Sequence, residues 1–504
     1  MSTEVELKLG ATPADFAAVR RHRAFVSASA GRAHSIAILS RYYDTPANEL
    51  LERGIALRLR RRGTRWLQTV KGAGDAAAGM HRRAEYEWPL NRARLDRTRL
   101  AATPWAEVFA DTAGRLAPVF TTDVMRTERA LRFEDGTRAS LSFDLGTIRA
   151  AGKRSPLCEI EIELIEGDAR RLYDLALALC ADIPLTLAHA SKADHGYALA
   201  RSRPAWPVHA GKVALAPDVA ASRALAAVAA DCLAQIGANA ESMRAGRDGE
   251  FLHQLRVGVR RMRSLLKLDA RVECAEEIAS LDHGLAGLGE VFGPARDWDV
   301  FTASTLSTIA ANLNDAQQRR SFGRLRLRAA RQRTLYRSAA RSEAGSQRFS
   351  CLLLALGRFR LGLELAVTDR PATALARDAL GRSARRLSKR SKRLRHADAA
   401  ARHRVRVAAK KLRYAAEFFA PLFRHAGAGD YIETLAELQG ALGSLNDMAA
   451  ATRLLDELMT AASDAELAHA AGIVRGWAAA MSARELEQLP KSWRRFSKAK
   501  PFWD

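Results

Sequence analysis

The sequence predicts a multidomain α+β protein: a strand-rich N-terminal part closed around a polar interior, then an all-helical part with an internal repeat. Three observations carry this expectation. Runs that alternate charged and apolar residues, such as Glu4-Val-Glu-Leu-Lys8 and Glu159-Ile-Glu-Ile-Glu-Leu164, lie within the first 200 residues and have the period of a strand. Ten of the 15 prolines precede residue 218, so the alanine-, leucine- and arginine-rich remainder is free to form long helices. Part of that remainder recurs 150 residues later, the mark of a duplicated unit.

The 504 residues leave room for two to four domains. Residues 1–203 are expected as the strand domain, 204–217 (Pro-Ala-Trp-Pro and its sequel) as a linker, 218–495 as the helical domain and 496–504 as a tail. With 48% hydrophobic residues the chain is not a disordered polyelectrolyte, although its net charge is +24, split as +7 for residues 1–203 and +17 for the rest. Such a surplus calls for a polyanionic partner. No apolar run is long enough to span a membrane, the N-terminus does not read as a signal peptide, and five scattered cysteines without CxxC spacing fit a reducing compartment. A cytoplasmic location is expected.

In the first part, Glu4, Glu6 and Lys8 share one strand face, with Val5, Leu7 and Leu9 on the other. Arg58, Arg60 and Arg62 likewise share a face, as do Arg83, Glu85 and Glu87, and Glu159, Glu161 and Glu163. One such strand reads as a solvated edge. Several, with like charges two residues apart, repel if they lie side by side, and become sensible when the charged faces curl inward around a polyanion and its cations. Carboxylates suit hard ions such as Mg²⁺ or Mn²⁺, and arginine and lysine suit phosphoryl oxygens. There is no GxSxG, HExxH, Walker loop or GxGxxG before a helix to suggest another chemistry. Trp66, Tyr86 and Trp88 fall out of phase with the charged residues and are expected to pack outside.

Glu4-x-Glu6-x-Lys8 resembles the ExExK signature of the CYTH domain, the triphosphate tunnel metalloenzymes. Further stations follow in order: Tyr42-Tyr-Asp-Thr45, Leu57-Arg-Leu-Arg60, Lys71, Arg83-x-Glu85-x-Glu87, Arg126 with Arg129, Phe143-Asp144, Cys158 to Glu163, and Ser191-Lys192 before Gly196-Tyr197. The resemblance implies an antiparallel eight-stranded β tunnel with helices, Mg²⁺ or Mn²⁺ as cofactor and hydrolysis of a triphosphate. Carried over, Glu4, Glu6, Asp144, Glu159 and Glu161 would be metal-side, and Lys8, Arg58, Arg60, Lys71, Arg83, Arg126 and Lys192 phosphate-side. Glu85, Glu87, Arg41 and Arg129 would add substrate contacts, while Arg61 and Arg62 read as solvated. The family also contains thiamine triphosphatases, RNA triphosphatases and adenylyl cyclases; with no evident pocket for an organic group, inorganic tripolyphosphate is the economical substrate.

In the second part, His253, Arg256, Arg260, Arg263 and Lys267 fall within about an 80° arc of one helix. His403, Arg406, Lys410 and Arg413 repeat the arc at the offset of 150, with Glu417 in place of the last lysine, and Leu285, Leu288, Gly293 and Asp297 match Leu435, Leu438, Gly443 and Asp447. A charged stripe is commonly a solvated face, but this one holds no acids to neutralise it and is duplicated, histidine included. Residues 377–413 add to the charge with 15 lysines and arginines against two acids, among them a series Arg382, Arg385, Lys389, Lys392 and His396. The repeated His-x-x-Arg-Val-x-x-Arg/Lys-Arg/Lys-x-Arg resembles the CHAD domain. It implies a pair of four-helix bundles with pseudo-twofold symmetry that binds inorganic polyphosphate, with His253, Arg256, Arg260, Arg261, Arg263, Lys267, His403, Arg406, Lys410, Lys411 and Arg413 as contacts. Asp297 and Asp447 read as structural partners of the stripe. The chain is therefore expected to be a polyphosphate-binding triphosphatase within reach of polyphosphate granules; the competing reading is a polyphosphate binder without turnover. Nucleic-acid binding fits the charge but has no RNP strand, KH loop or zinc finger behind it.

Overall fold

The computed structural model describes residues 2–503 other than 113, 202–205, 247, 269–274, 369, 393, 395–396, 424–426 and 461–464. Cys274, His396 and the head of the expected linker lie outside the described residues. The chain forms two compact units: Met1–His209 with Leu233–Arg247 and Ala344–Gly362, and Ala210–Cys232 with Asp248–Glu343 and Leu363–Asp504. The first thus takes in two segments that the helical pattern assigns to the second domain.

In the first unit, strands β1 (Ser2–Gly10), β2 (Ser29–Asp44), β3 (Ala56–Arg62), β4 (Arg65–Ala77), β5 (Met80–Leu90), β6 (Ala117–Arg132), β7 (Arg138–Ala150) and β8 (Lys153–Glu166) form one antiparallel sheet in the order β5-β4-β3-β2-β6-β7-β8-β1. β1 pairs with β8 on one side and β5 on the other, closing an eight-stranded barrel, and the short β9 (Thr186–Leu187) extends it beside Leu9 and Gly10. Period-2 patterning explains the closure. Leu7, Leu9, Leu57, Leu59, Leu141, Phe143, Ile160 and Ile162 are buried on the outer face, and their charged neighbours turn inward.

Helices cover that apolar outside. From α1 (Pro13–Arg21) and α2 (Arg23–Ala28), Phe16 and Phe25 reach Phe143 with ring centroids 5.0 and 5.9 Å apart. α3 (Glu49–Glu52), α4 (Arg97–Ala101) and α5 (Ala106–Thr112) close a cluster of Leu50, Ile55, Leu57, Val70, Leu100 and Phe109. Tyr86 and Trp88 pack against this cluster on the outside, as expected. After α6 (Arg170–Asp182), α7 (Lys192–Arg201) lies flush on the barrel: a Cβ on Gly196 would stand 2.1 Å from the Phe120 ring. Tyr197 donates to Asp44 at 2.9 Å, and Asp44 also accepts from Leu50 N, which ties the Tyr-Tyr-Asp-Thr segment to α3 and α7.

The helices after the barrel repeat. α8 (Ala221–Ala245), α9 (Gly249–Leu265), α10 (Ala275–Val300), the short α11 (Leu306–Ala311) and α12 (Ala316–Ala344) form one set. After α13 (Gln347–Leu365), α14 (Ala372–Ser391), α15 (Ala399–Phe419), α16 (Ala428–Met459) and α17 (Ala465–Ser497) form the other. Even the caps keep the offset: Asp248 begins α9 by accepting from Glu250 N, and Asp398 begins α15 by accepting from Ala401 N. Corresponding helices meet, α9 with α15 and α10 with α16. Trp298, Phe301, Phe322 and Leu325 pack with Leu454, Leu455, Leu467 and Val474 in a shared core. Among the described residues no helix is long and apolar enough to cross a membrane.

Candidate functional site

The barrel encloses a cavity of about 230 Å³. Its walls carry Glu4, Glu6 and Lys8 from β1, Arg58 and Arg60 from β3, Lys71 from β4, Arg83, Glu85 and Glu87 from β5, Arg126 from β6, Asp144 from β7, Glu161 from β8 and Lys192 from α7. Eight carboxylates and eight cationic side chains line it in all, so the lining is balanced in formal charge. Strand alternation puts each of them there: the inward positions on β3 are even-numbered, those on β5 and β8 odd-numbered.

At one end the oxygens of Asp144, Glu159 and Glu161 lie within 4.8 Å of one another, all three residues buried. Oxygen-only donors at that spacing suit a hard divalent cation. Three cations hold them. Lys192 Nζ stands 2.7 Å from Asp144 Oδ2 and 2.8 Å from Glu161 Oε1 and also reaches Glu159. Arg126 grips Asp144 with two bonds, 2.7 and 2.6 Å, and donates to Glu161. Lys8 donates to Glu161 and lies 3.0 Å from Glu6. Burial alone would raise the Glu161 carboxyl, but Lys192, Lys8 and Arg126 hold it well below the usual carboxylate range. Burial likewise works against the Lys8 ammonium, yet Glu161, Glu6 and Glu159 keep it well above the ordinary lysine value.

Toward β4 and β5 the pairing is looser. Lys71 donates to Glu4 and stands 3.6 Å from Glu85, and Arg58 stands 3.6 Å from Glu85. Nε and Nη2 of Arg58 and Nε of Arg60 are buried with no hydrogen-bond partner, donors an anion would satisfy. Glu163, which faces Glu4 and Glu6, is pushed up to about 7 by burial and by those two carboxylates.

The lining differs from the sequence expectation in particular places. Arg41 does not line the cavity: Ser40 and Tyr42 on either side of it do, so Arg41 is exposed on the outer face with its guanidinium 5.9 Å from the Trp66 ring. Arg129 is out of phase in the same way with Thr122, Val124, Arg126 and Glu128. Arg62, read as solvated, lines the cavity and pairs with Glu128 at 3.1 Å. Glu163 lines the cavity as its strand face predicts, and Glu128, which no strand pattern or motif marks, joins it by sharing the parity of Arg126. Glu159 belongs to the carboxylate cluster although it is not among the residues that line the cavity.

In the second unit the two basic stripes converge. Lys410 of α15 is depressed to about 6 by burial and by Arg260, Arg406 and Arg256 around it, with Asp447 opposing. Arg256 is lowered to about 10 by burial and by Arg260, despite donating to Gly293 O at 2.8 Å and lying 3.6 Å from Asp297. Nε of Arg260 and of Arg406 is buried without a hydrogen-bond partner. His253 is pushed down to about 4 by burial and by Arg296, a cation the stripe pattern did not include. His403 lies 3.2 Å from Asn446 Oδ1. At the stripe ends Arg263 and Lys267 share Asp282, at 2.9 and 2.7 Å, and Arg413 pairs with Glu417 at 3.1 Å. Lys411 is lowered by burial and by Lys267 and Arg386. Arg261 does not join: it is buried, paired with Asp231 at 2.8 Å and 5.2 Å from the Phe418 ring, because a step of 100° carries it off the stripe and into the core.

Comparisons with known proteins follow the same division. An inorganic triphosphatase of Haemophilus influenzae is 31% identical over 160 residues, covering 31% of this chain and 44% of the relative. The match thus spans less than half the length of that curated protein. The crystal structure of the CHAD domain from the plant Ricinus communis is 36% identical, with a TM-score of 0.53, over 58% of this chain and 98% of that one. The CYTH family profile matches residues 2–197 and the CHAD profile residues 227–456. With the closed barrel and the duplicated helices in place, the chain is a CYTH domain followed by a CHAD domain.

Proposed function

We propose that the barrel hydrolyses inorganic triphosphate with the help of Mg²⁺ or Mn²⁺, and that the helical domain binds polyphosphate. The observation that carries the first half is the charge-balanced, enclosed cavity with a buried three-carboxylate cluster at one end. A polyanion entering a neutral lining alone would leave it strongly negative, so a cation has to accompany it. The metal would neutralise phosphoryl oxygens and lower the pKa of the attacking water. Asp144, Glu159 and Glu161 would hold it, with Glu4 and Glu6 facing the same space. Lys8, Lys192 and Arg126 occupy these oxygens, so they must release them on loading and turn to the substrate. Arg58, Arg60, Lys71 and Arg83 would fix the phosphate chain from the other wall.

Tyr42 is the one aromatic among the described residues lining the cavity, and Tyr86 and Trp88 pack outside, which supports a bare phosphate chain over a nucleotide or thiamine ester. In the helical domain, converging cations with unsatisfied donors support a flexible polyanion as ligand. Tethering the two activities would raise the local concentration of phosphate chains, in the cytoplasm and near polyphosphate granules. The full chain should release phosphate from tripolyphosphate only with Mg²⁺ or Mn²⁺ present, and faster than from ATP or thiamine triphosphate. Polyphosphate binding without phosphate release from any of them would favour a binding protein instead.

A further inference from the structure

We propose that Glu241, on α8, is a positioning residue for Lys192: it fixes the turn that presents this lysine to the carboxylate cluster. The kinetic consequence rests on the triphosphatase reading; the geometry does not. Lys192 is the first residue of α7, and the chain reaches it from β9 through residues 188–191. Ala188 N donates to Lys8 O at 3.2 Å, so the near end of this turn is pinned to β1. Ser191 N and Oγ both donate to Asp194 Oδ2, at 2.8 and 2.7 Å, a local cap that starts α7.

Between these anchors two backbone donors remain, and Glu241 takes both. His189 N and Ala190 N donate to its Oε2 at 3.0 and 2.9 Å, and His195 Nε2 lies 3.5 Å from its Oε1. A carboxylate accepting paired backbone N–H groups makes charge-assisted bonds, stronger and more directional than neutral ones. The helix is built to come this close. Gly237 lies one turn earlier on the same face as Glu241, and a Cβ there would stand 2.9 Å from His189 Nδ1. Glu241 does not line the cavity, so it acts through the turn. Residues Leu233–Arg247 belong to the barrel's compact unit, which gives this segment of α8 a task in the barrel beyond its place in the helical repeat.

The test is a double-mutant cycle in the full chain, with tripolyphosphate and Mg²⁺, on Glu241→Ala, Glu241→Gln, Lys192→Ala and the Glu241→Ala/Lys192→Ala double variant. Glu241→Ala should lower kcat by about 10-fold, in the range of other outer-shell losses, and Glu241→Gln by no more than about threefold, since its amide oxygen can still accept both N–H groups. In the Lys192→Ala background Glu241→Ala should cost less than about twofold more, because a residue acting through Lys192 has nothing left to position. Equal losses in both backgrounds, or full kcat in Glu241→Ala, would overturn the assignment. A wild-type chain that releases no phosphate would sink the triphosphatase reading instead. Amide hydrogen exchange at residues 189–193 then decides the positioning claim: faster exchange in Glu241→Ala upholds it, and unchanged exchange refutes it.

Discussion

The barrel and the helical domain both gather buried lysines and arginines, yet these cations are perturbed in opposite directions. In the barrel, carboxylates outweigh burial: Lys8, Lys192 and Arg126 are all held above their ordinary values by Glu161 and its neighbours. In the helical domain, burial and mutual repulsion win: Lys410, Arg256 and Arg406 are all lowered, with Asp297 and Asp447 as the acids set against them. A cation already satisfied gains little from a bare anion, whereas one that is buried and repelled gains much. The difference is what the proposed functions call for: a barrel whose polyanion would bring its own cation, and a helical stripe whose polyanion would come without one.

The harshest way to break this comparison is to remove carboxylates from the barrel. Glu4→Gln with Glu6→Gln should lower phosphate release from tripolyphosphate by at least about 10³-fold at saturating Mg²⁺ or Mn²⁺, if a metal ion is required there. The double variant also leaves Lys71 and Lys8 short of partners, so thermal melting must accompany the assay. Turnover near the wild-type rate in a folded double variant would mean that the carboxylates only neutralise lysines.

A gentler probe sharpens the other half. Lys410 in the free protein is depressed to about 6, so at pH 8 it is largely neutral. Bound polyphosphate favours the ammonium form and raises that value, so the complex holds more protons than the free protein. Affinity should therefore rise as the pH falls from 9 toward 6, by at most about 10-fold per unit for one proton. The groups around Lys410 are Arg260, Arg406, Arg256 and Asp447. Calorimetry in two buffers of different ionisation enthalpy should show proton uptake at pH 8, and Lys410→Arg should abolish it. Proton release on binding, or a slope unaltered by Lys410→Arg, would remove the contrast.

Period explains what the sequence made legible. Glu4, Glu6 and Lys8, Arg58 and Arg60, and Glu159 and Glu161 could be placed on one side of a barrel because strand alternation is local and strict. The same rule, applied throughout, puts Arg62, Glu128 and Glu163 inside and leaves Arg41 and Arg129 outside. A family motif names stations along the chain but not the face each one takes, so parity and motif part at Arg41, Arg62 and Arg129. The stripe was legible from the repeat, and Arg261, which only the family motif implied as a contact, stands a single helical step off it. Glu241 and Arg296 were not legible at all. Glu241 meets residues 189–190 about 50 positions away, and Arg296 approaches His253 from a different helix, so no spacing along the chain announces either.

The smallest predicted effect tests that parity rule, on which the barrel half of the comparison stands. Arg41 belongs to the same strand as the lining residues Ser40 and Tyr42, and it carries the charge expected of a phosphate contact. Its exposed guanidinium lies 5.9 Å from the Trp66 ring, outside the cavity. Arg41→Ala should therefore change kcat/KM for tripolyphosphate by less than about twofold, while loss of the ring contact lowers stability by about 0.5–1 kcal/mol. Arg58→Ala, two residues from Arg60 on the inner face, is the control that should cost far more. A tenfold or larger loss for Arg41→Ala would mean that the guanidinium reaches substrate from the barrel rim. The phosphate chain would then extend past the cavity lining, and a neutral bore would no longer account for what the barrel binds.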